Sequence, residues 1–282
     1  MTRTERLRAL LGAPVRAITD LGASHAWTLH RAELSDGHRV FVKASAEPTP
    51  VFASEAAGLG WLGKADTDAL VPRVLAADDQ MLVLPWLDET RPTPAAAERF
   101  GRELAALHAD RPERFGAPWA GWIASLPLLN APADGAWSRW YAEHRLAPYL
   151  PRAAAHLGAD GIRVVERVID RIDDLAGPAE PPSRIHGDLW SGNILWTRER
   201  AMLIDPAAHG GHRETDLAML ALFGAPHLDR IRATYDETHP LADGWQARTP
   251  LHQLHPLLVH VALFGAGYRA QTLAAATAAL GS

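Results

Sequence analysis

A short polar segment separates two apolar runs in IHGDLWSGNILW, which spans residues 185–196. Within it, Asp188 and Asn193 form the pattern Asp-x-x-x-x-Asn, and the next apolar run, AMLID, ends at Asp205. Phosphoryl transfer from ATP uses such a set, because one carboxylate accepts the proton of the attacking hydroxyl while an asparagine and an aspartate hold Mg²⁺. The pattern predicts a base and a metal ligand on one short loop, and Gly187 allows the backbone to turn tightly there.

Two charged residues upstream extend this set. Lys43 ends the strand-like run RVFVKA, and Glu55 lies on the helix predicted to follow it. A kinase needs a lysine on the nucleotide phosphates and a glutamate that holds this lysine in place. The order and spacing of the five residues together favour an ATP-dependent kinase.

Each of these residues alone has a simpler explanation. Lys43 could be a solvated strand lysine and Glu55 a charge on a helix surface. Asp205 could form a turn, and Asp216, further along, could be only a helix N-cap. His186 is expected to be structural, bonding the backbone near Asp205 rather than acting in catalysis.

The N-terminal third alternates between strand-like and helical patterns. An amphipathic helix precedes two strand-like runs that flank a turn at Asp36–Gly37. TPVFASEAAGLGWLG is typical of a helix that ends in glycine, whereas VPRVLAAD and QMLVLPWLD are typical of strands. These elements predict a small antiparallel sheet with one main helix packed on it.

The pattern changes after Pro85. Thr93 is placed to cap a long helix whose first residue is Pro94. A long loop is expected at 115–137, and further helices at about 136–149 and 161–176. The predicted fold class is α+β, a protein-kinase-like arrangement of two lobes. A small N-terminal lobe would span 1–86 and a larger, mostly helical C-terminal lobe 87–282, with a hinge at 85–88.

The composition excludes several other classes of protein. The 282 residues are 48% hydrophobic and 22% charged, which is ordinary for a globular protein. A net charge of −5 without a basic run argues against nucleic-acid binding, and the absence of cysteine excludes disulfides and thiol chemistry. The 14 histidines form no recognisable metal motif. Without a signal peptide or membrane-spanning run, we expect a cytoplasmic monomer with no membrane or nucleic-acid partner.

The segment HGDLWSGN resembles the catalytic loop of the fructosamine kinase (ketosamine-3-kinase) family, a branch of the protein-kinase-like fold related to aminoglycoside phosphotransferases and choline kinases. ASLPLLN, WSRWYAEHRLAPYL, GHRETDLAM and LHQLHPLLVHVALFGAGYRA are also similar to segments of that family. The resemblance covers nearly the whole chain. The Trp-Ser-Gly-Asn form of the loop is specific, because aminoglycoside and choline kinases share only a looser H-x-D-x-x-x-x-N.

The resemblance implies a role for each matching residue. Asp188 would be the general base, and Asn193 and Asp205 would bind Mg²⁺. Lys43 would contact the α- and β-phosphates of ATP and pair with Glu55. The remaining residues would hold the nucleotide or support the catalytic loop: Leu84 and Trp86 in the strand end beside adenine, Gly22 and Ser24 in the nucleotide loop, and His186 and Asp216 beneath the catalytic loop.

The activity implied by the resemblance is phosphorylation of the 3-hydroxyl of a ketosamine, the rearranged adduct of a sugar with an amine, with ATP and Mg²⁺. The substrate would be a ribulosamine or fructosamine, free or bound to protein. The phosphorylated adduct would then break down and free the amine, which is a deglycation repair.

The nucleotide loop LGASHAWTLH departs from the usual kinase pattern. It holds one glycine, Gly22, where many kinases have three. Ala23, Ser24 and His25 remain as residues whose backbone N–H groups could bind phosphate.

The expected substrate contacts lie elsewhere. Trp190 follows the base by two positions, where serine/threonine protein kinases carry a lysine. We expect its indole to stack on the sugar-amine. Asn130 and His212 are in predicted loops of the larger lobe, and we expect both to face the cleft and contact the substrate.

Two alternatives remain open at this point. The same fold could phosphorylate another small hydroxyl compound, such as an aminoglycoside, choline or homoserine. Alternatively, the chain could be a pseudokinase that binds nucleotide and serves as a scaffold. The glycine-poor loop supports that alternative, whereas the presence of Lys43, Asp188, Asn193 and Asp205 argues for activity.

Overall fold

The computed structural model describes residues 1–24, 26–65 and 70–281 of the chain. Two helices, α1 (Arg3–Leu11) and α2 (Val51–Leu62), accompany the strands of the N-terminal part. The strands are β1 (Val15–Ser24), β2 (Trp27–Leu34), β3 (Arg39–Ala44), β4 (Ala76–Ala77) and β5 (Met81–Pro85). They form an antiparallel sheet in the order β1-β2-β3-β5-β4.

The alternation of side chains along β3 divides the sheet into two faces. Val40 and Val42 are buried with Leu7 of α1 on the outer face. Phe41 and Lys43 lie on the opposite face and line a cavity between the sheet and the rest of the molecule. The period of the strand therefore brings Lys43 to the inner side of the sheet.

The C-terminal part begins with the predicted long helix. The Thr93 side chain accepts a hydrogen bond from the Ala96 N–H, and Pro94 is the first helical residue, as predicted. The elements that follow β5 are α3 (Pro94–Ala109), β6 (Gly121–Ile123), β7 (Leu126–Leu128), α4 (Trp137–Tyr141), α5 (Leu150–Asp170), α6 (Ile172–Leu175), β8 (Ser183–Ile185), β9 (Ile194–Trp196), β10 (Ala201–Leu203), β11 (His209–Gly211), α7 (Glu214–Phe223), α8 (Leu228–Thr238), α9 (Trp245–Phe264) and α10 (Arg269–Gly281).

Several predicted boundaries were wrong. VPRVLAAD forms a strand only at Ala76–Ala77, and Pro72, which has no N–H to donate, lies outside the sheet ladder. The helix predicted at 136–149 is α4 followed by a π-helical turn at Ala142–Leu146. The next helix begins at Leu150, well before 161, and is interrupted at Gly158, where a φ of +70° is not helical. The loop expected at 115–137 contains the hairpin β6–β7.

A shared core joins the sheet to the helical part. Phe52 of α2 and Leu82 of β5 pack in one buried cluster with Phe100 of α3 and Leu217 of α7. The small antiparallel sheet and the mostly helical remainder confirm the predicted two-lobed α+β fold. Among the described residues, no helix combines the length and apolar character needed to cross a bilayer.

Buried histidines should make this fold sensitive to acid. Burial and the neighbouring Arg145 lower the pKa of His255 to about 3, and burial lowers the pKa of His212 to about 3. An unfolded histidine takes up a proton near pH 6.5, whereas these two stay neutral in the folded protein. Between these pH values the unfolded state binds more protons, so the free energy of unfolding falls as the pH falls, by up to about 1.4 kcal/mol per pH unit for each histidine.

We therefore expect a lower urea midpoint at about pH 5 than at about pH 7. His255→Gln removes one of these groups and should flatten the pH dependence. His38→Gln, a matched change at an exposed position, should leave it unchanged. An identical pH dependence in wild type and His255→Gln would contradict the assignment to His255.

Candidate active site

The predicted base lies on the segment after β8. Strand β8 pairs with β11, and the chain then turns at Gly187, whose φ is +81°. A side chain there would overlap the backbone carbonyl of Ala207, so only glycine fits. The turn places Asp188 at the wall of a cavity that Asp205 also lines. We call this cavity, between the sheet and the helical part, the cleft.

Asp216 holds this turn from behind. Its two carboxylate oxygens accept hydrogen bonds from the backbone N–H groups of His186 (2.7 Å) and Gly187 (2.9 Å). His108 Nε2 lies 3.1 Å from one of the same oxygens. Burial opposes the charge of Asp216, but His108 and the backbone donors outweigh it and lower the pKa. Asp216 lies inside α7, whose N-cap is Arg213, so it is not the helix cap that was considered.

His186 supports the loop from a second direction. Its Nε2 donates to the backbone carbonyl of Ile204 at 2.9 Å, one residue before Asp205. Its Nδ1 accepts from the backbone N–H of Asp188 at 3.3 Å. The ring is fully buried, and burial lowers its pKa. The neutral ring therefore connects the loops that carry Asp188 and Asp205. The contact with the backbone near Asp205 is the one expected of His186.

Lys43 bridges two carboxylates. Its ammonium lies 2.8 Å from Glu55 Oε2 and 2.7 Å from Asp205 Oδ1. Burial opposes the lysine charge, but the two carboxylates outweigh it and raise the pKa of Lys43. Burial also opposes the charge of Asp205, and the ammonium lowers the pKa of that group. Lys43 is thus a fixed cation at the inner surface of the sheet, which excludes the solvated strand lysine.

Asp188 has the electrostatics of a general base. Burial, and then the negative charge of Asp205, raise the pKa of Asp188 to about 7. The side-chain amide of Asn193 donates to Asp188 Oδ2 at 3.1 Å and to the Asp188 backbone carbonyl at 2.8 Å. A carboxylate whose pKa lies near neutrality accepts protons better than an ordinary aspartate.

The charge and oxygen atoms of the cleft fit a divalent cation. Three carboxylates, Glu55, Asp188 and Asp205, line the cleft together with Lys43, which is the only cation among the described residues lining it. Asn193 donates through Nδ2, which leaves its Oδ1 available as a ligand. The Asp205 side chain is 41% exposed. Oxygen ligands of this kind suit Mg²⁺.

A second cavity of about 300 Å³ adjoins the cleft at Lys43 and Asp205. Strand β5 and the segment after it supply Leu84 and Trp86, and Trp86 donates its backbone N–H to the carbonyl of Arg39. The apolar part of the wall consists of Leu21, Leu29, Phe41, Pro72, Leu84, Pro85, Trp86, Leu87, Leu195 and Ile204. An apolar slot beside a fixed lysine has the character of a site for a nucleotide base.

The nucleotide loop is only partly open to a ligand. The N–H of Gly22 donates to Asp20 Oδ1 at 2.8 Å, so the side chain just before the loop already binds this N–H. Ser24 lines both the cleft and the apolar slot. His25, the third residue expected to offer a backbone N–H, lies outside the described residues.

The structure separates the three expected substrate contacts. Trp190 lines the cleft beside Asp188 and is 41% exposed. Asn130 and His212, in contrast, are buried and do not line the cleft. Asn130 accepts a hydrogen bond from the guanidinium of Arg145 at 2.8 Å. His212 packs its ring against Trp137, with the ring centroids 4.9 Å apart. The expectation that both face the cleft was wrong, because each is drawn into the helical core.

One cavity wall near Asp188 was not predicted from the sequence. A further cavity of about 300 Å³ opens beyond Trp190, and helices α7 and α9 supply most of its lining. Besides Trp190, its aromatic residues are Phe223, His260, Phe264 and Tyr268. His260, Phe264 and Tyr268 recur every fourth residue, and this helical spacing was the available signal.

Comparison with known proteins gives consistent matches. A family model described as fructosamine kinase matches residues 15–280. A protein named as a probable ketoamine kinase from Thermus thermophilus is 36% identical over 244 residues, which cover 85% of this chain and 88% of that protein. One of the same designation from Escherichia coli K12 is 34% identical over 249 residues, or 85% and 83% of the two chains.

Solved structures agree with these matches. The crystal structure of a "putative fructosamine-3-kinase" from Thermobifida fusca is 53% identical, covers 100% of this chain and 99% of its own, and superposes with a TM-score of 0.96. An aminoglycoside phosphotransferase in a ternary complex with ADP and hygromycin B covers 100% of both chains with a TM-score of 0.69. At 13% identity, that second likeness concerns the fold alone.

Proposed function

This chain belongs to the fructosamine kinase family, and from that premise we propose that it transfers the γ-phosphoryl group of ATP to the 3-hydroxyl of ketosamines. Membership makes it an ATP-dependent phosphotransferase that acts on a hydroxyl group. The observation that carries the proposal is the meeting of Asp188 and Asn193 with Lys43 and Asp205 around one cleft, in a chain whose relatives are named as ketoamine kinases.

In the proposed reaction, Asp188 accepts the proton of the sugar 3-hydroxyl as the hydroxyl oxygen attacks the γ-phosphorus. The bond from that phosphorus to the bridging oxygen of ADP breaks as the new phosphate ester forms. Lys43, held by Glu55, places its positive charge on the nucleotide phosphates. Asp216 and His186 act only by positioning the loop that carries Asp188.

Asn193 and Asp205 are the residues that would hold Mg²⁺, since both line the cleft with side-chain oxygens and the low pKa of Asp205 keeps its carboxylate charged. The ion would neutralise charge on the β- and γ-phosphate oxygens. We propose that adenine lies in the apolar slot beside Leu84 and Trp86. We further propose that Gly22 and Ser24 lie over the phosphates.

We further propose that residues 1–86 form a nucleotide-binding lobe and residues 87–282 a lobe that carries the catalytic loop and the substrate site. Strand β5 ends at Pro85, and the next helix begins at Pro94, which supports a boundary in this interval. One chain supplies every residue used above, so a monomer suffices. Ketosamines, free or protein-bound, would be repaired in the cytoplasm, where ATP is available.

Trp190 should contribute to substrate binding. Its indole packs over Gly192, where a side chain would overlap the ring. A protonated sugar-amine over an indole gains about 0.5–2 kcal/mol. We therefore expect Trp190→Ala to raise KM for a ribulosamine roughly tenfold and to change KM for ATP little. Trp190→Phe, which keeps a ring, should retain most of the affinity. An unchanged KM for ribulosamine in Trp190→Ala would contradict this contact.

The position of the new phosphate tests the proposed function. We expect phosphorus and carbon NMR of the product from a ribulosamine to show coupling of phosphorus to carbon 3 of the sugar. A phosphate on another oxygen, or no phosphorylated product from any ketosamine, would overturn the proposal.

A further inference from the structure

The cavity beyond Trp190 has a wall of aromatic and aliphatic side chains. We call the site formed by Trp190, Phe223, His260, Phe264 and Tyr268 the aromatic pocket. It encloses about 300 Å³ and shares Ile123, Ala124, Asp188 and Trp190 with the cleft. A ligand that presents a hydroxyl to Asp188 can therefore extend into it without leaving the protein surface.

The rings form a continuous series of contacts that starts beside the base. Trp190 and Phe223 have centroids 6.4 Å apart, and Phe223 and His260 are 5.0 Å apart. His260 lies 5.5 Å from Phe264 and 4.8 Å from Tyr268. Phe264 is nevertheless 52% exposed. These rings contact each other but leave apolar surface uncovered, as a site for an apolar group would.

Charge is nearly absent from this wall. Asp188 is the only carboxylate among the described residues that line the aromatic pocket, and these residues include no lysine or arginine. His260 Nδ1 lies 2.7 Å from the Pro256 carbonyl, which can only accept, so Nδ1 carries the proton. Burial lowers the pKa of His260, which favours the neutral ring. A substrate carboxylate bound here would lose its hydration, would meet no lysine or arginine among the described lining residues and would lie near Asp188. Its binding would therefore be unfavourable.

The two halves of a ketosamine differ in the surroundings they need. The sugar half is rich in hydroxyl groups and suits the cleft, which is lined by Ser54, Asp188, Asn193 and Asp205. The amine half begins on the carbon chain close to the 3-hydroxyl, and its substituent points away from the sugar. The aromatic pocket is the adjoining space for that substituent.

We propose that the aromatic pocket binds the amine substituent of the substrate, and that it selects neutral aliphatic or aromatic substituents over those that carry a carboxylate. This inference rests on the proposed ketosamine kinase activity. It makes Phe223, His260 and Phe264 determinants of specificity that act on the part of the substrate that does not react. The alkyl stem of a glycated lysine side chain falls in the favoured class.

The experiment compares kcat/KM for two ribulosamines that share the sugar and the length of the substituent, the adducts of n-butylamine and of 4-aminobutyrate. The n-butylamine adduct should be the better substrate by about tenfold or more, because one terminal carboxylate replaces one methyl group. Equal kcat/KM values for the two adducts would overturn the inference. Such a result would not contradict the proposed ketosamine kinase activity, because both compounds would still be phosphorylated.

A positive charge added to the aromatic pocket tests the same inference by changing the protein instead of the substrate. Phe264→Lys adds a cation at a half-exposed position and should reduce the preference for the n-butylamine adduct about tenfold. Leu129→Lys is a matched control, since Leu129 is 48% exposed and does not line the aromatic pocket. The control should keep the wild-type ratio. An unchanged ratio in Phe264→Lys would overturn the inference, and failure to phosphorylate any ketosamine would remove the proposed function as well.

Discussion

Asp188→Asn is expected to lower kcat about a thousandfold while nucleotide binding stays nearly intact. A positioned general base contributes roughly 10²–10⁴ to rate, and asparagine cannot accept the hydroxyl proton. The amide can still accept the hydrogen bond that Asn193 donates to Asp188 Oδ2. Burial and the charge of Asp205 already disfavour the ionised carboxylate. The neutral variant should therefore be at least as stable as the wild type.

Rate, ADP affinity and thermal midpoint should be measured on the same preparation. Asp160→Asn is the matched control, because the Asp160 side chain is 83% exposed and lies far along the chain from the catalytic loop. It should behave as wild type in all three measurements. A wild-type kcat in Asp188→Asn would show that another group takes the proton.

Asp205→Asn is expected to lower kcat by at least about a thousandfold and, unlike Asp188→Asn, to abolish the effect of Mg²⁺ on nucleotide affinity. The variant removes one negative charge beside Lys43 and replaces a charged ligand for the ion with a neutral amide oxygen. Asparagine is the appropriate substitution because residue 205 has a φ of +53°, a conformation that asparagine adopts more readily than alanine. The kcat and nucleotide affinity of Asp205→Asn therefore report the loss of the carboxylate charge rather than backbone strain.

Titration of ADP with and without Mg²⁺ measures this directly. In wild type the ion should tighten binding, whereas in Asp205→Asn the two affinities should converge. Asp229→Asn, at an exposed position of α8, serves as the control and should keep the response to the ion. If Asp205→Asn retained the full response, Asp205 would not be a ligand.

Local signals were sufficient to predict the framework of the site. Thr93 and Pro94 mark the start of α3 through a cap and a fixed φ, both of which depend on neighbours in the chain. Asp188, Asn193 and Asp205 lie within one short span, so their order alone indicates a loop and the strand pair that follows it. The pairing of Lys43 with Glu55 was predicted from the needs of a kinase site and from the family resemblance, and the structure places the two charged groups 2.8 Å apart.

Contacts between distant elements could not be predicted from the sequence. Whether Asn130 and His212 face the cleft depends on the packing of α4 and α9, and Arg145 and Trp137 draw the two residues into the core. Phe223 reaches the aromatic pocket only because α7 packs on α9. The π-helical turn at Ala142–Leu146 was not predicted either. The break at Gly158 falls on a glycine, which adopts its positive φ without strain, so the sequence did carry a local signal there.

The most direct test of the proposed function is ADP release with Mg²⁺ and ATP, measured in parallel on a ribulosamine, a fructosamine, an aminoglycoside and choline. We expect turnover with the ketosamines alone. Turnover of the aminoglycoside or choline without turnover of either ketosamine would contradict it and assign the cleft to another alcohol. ATP binding without turnover of any of the four would also contradict it and favour a nucleotide-binding scaffold.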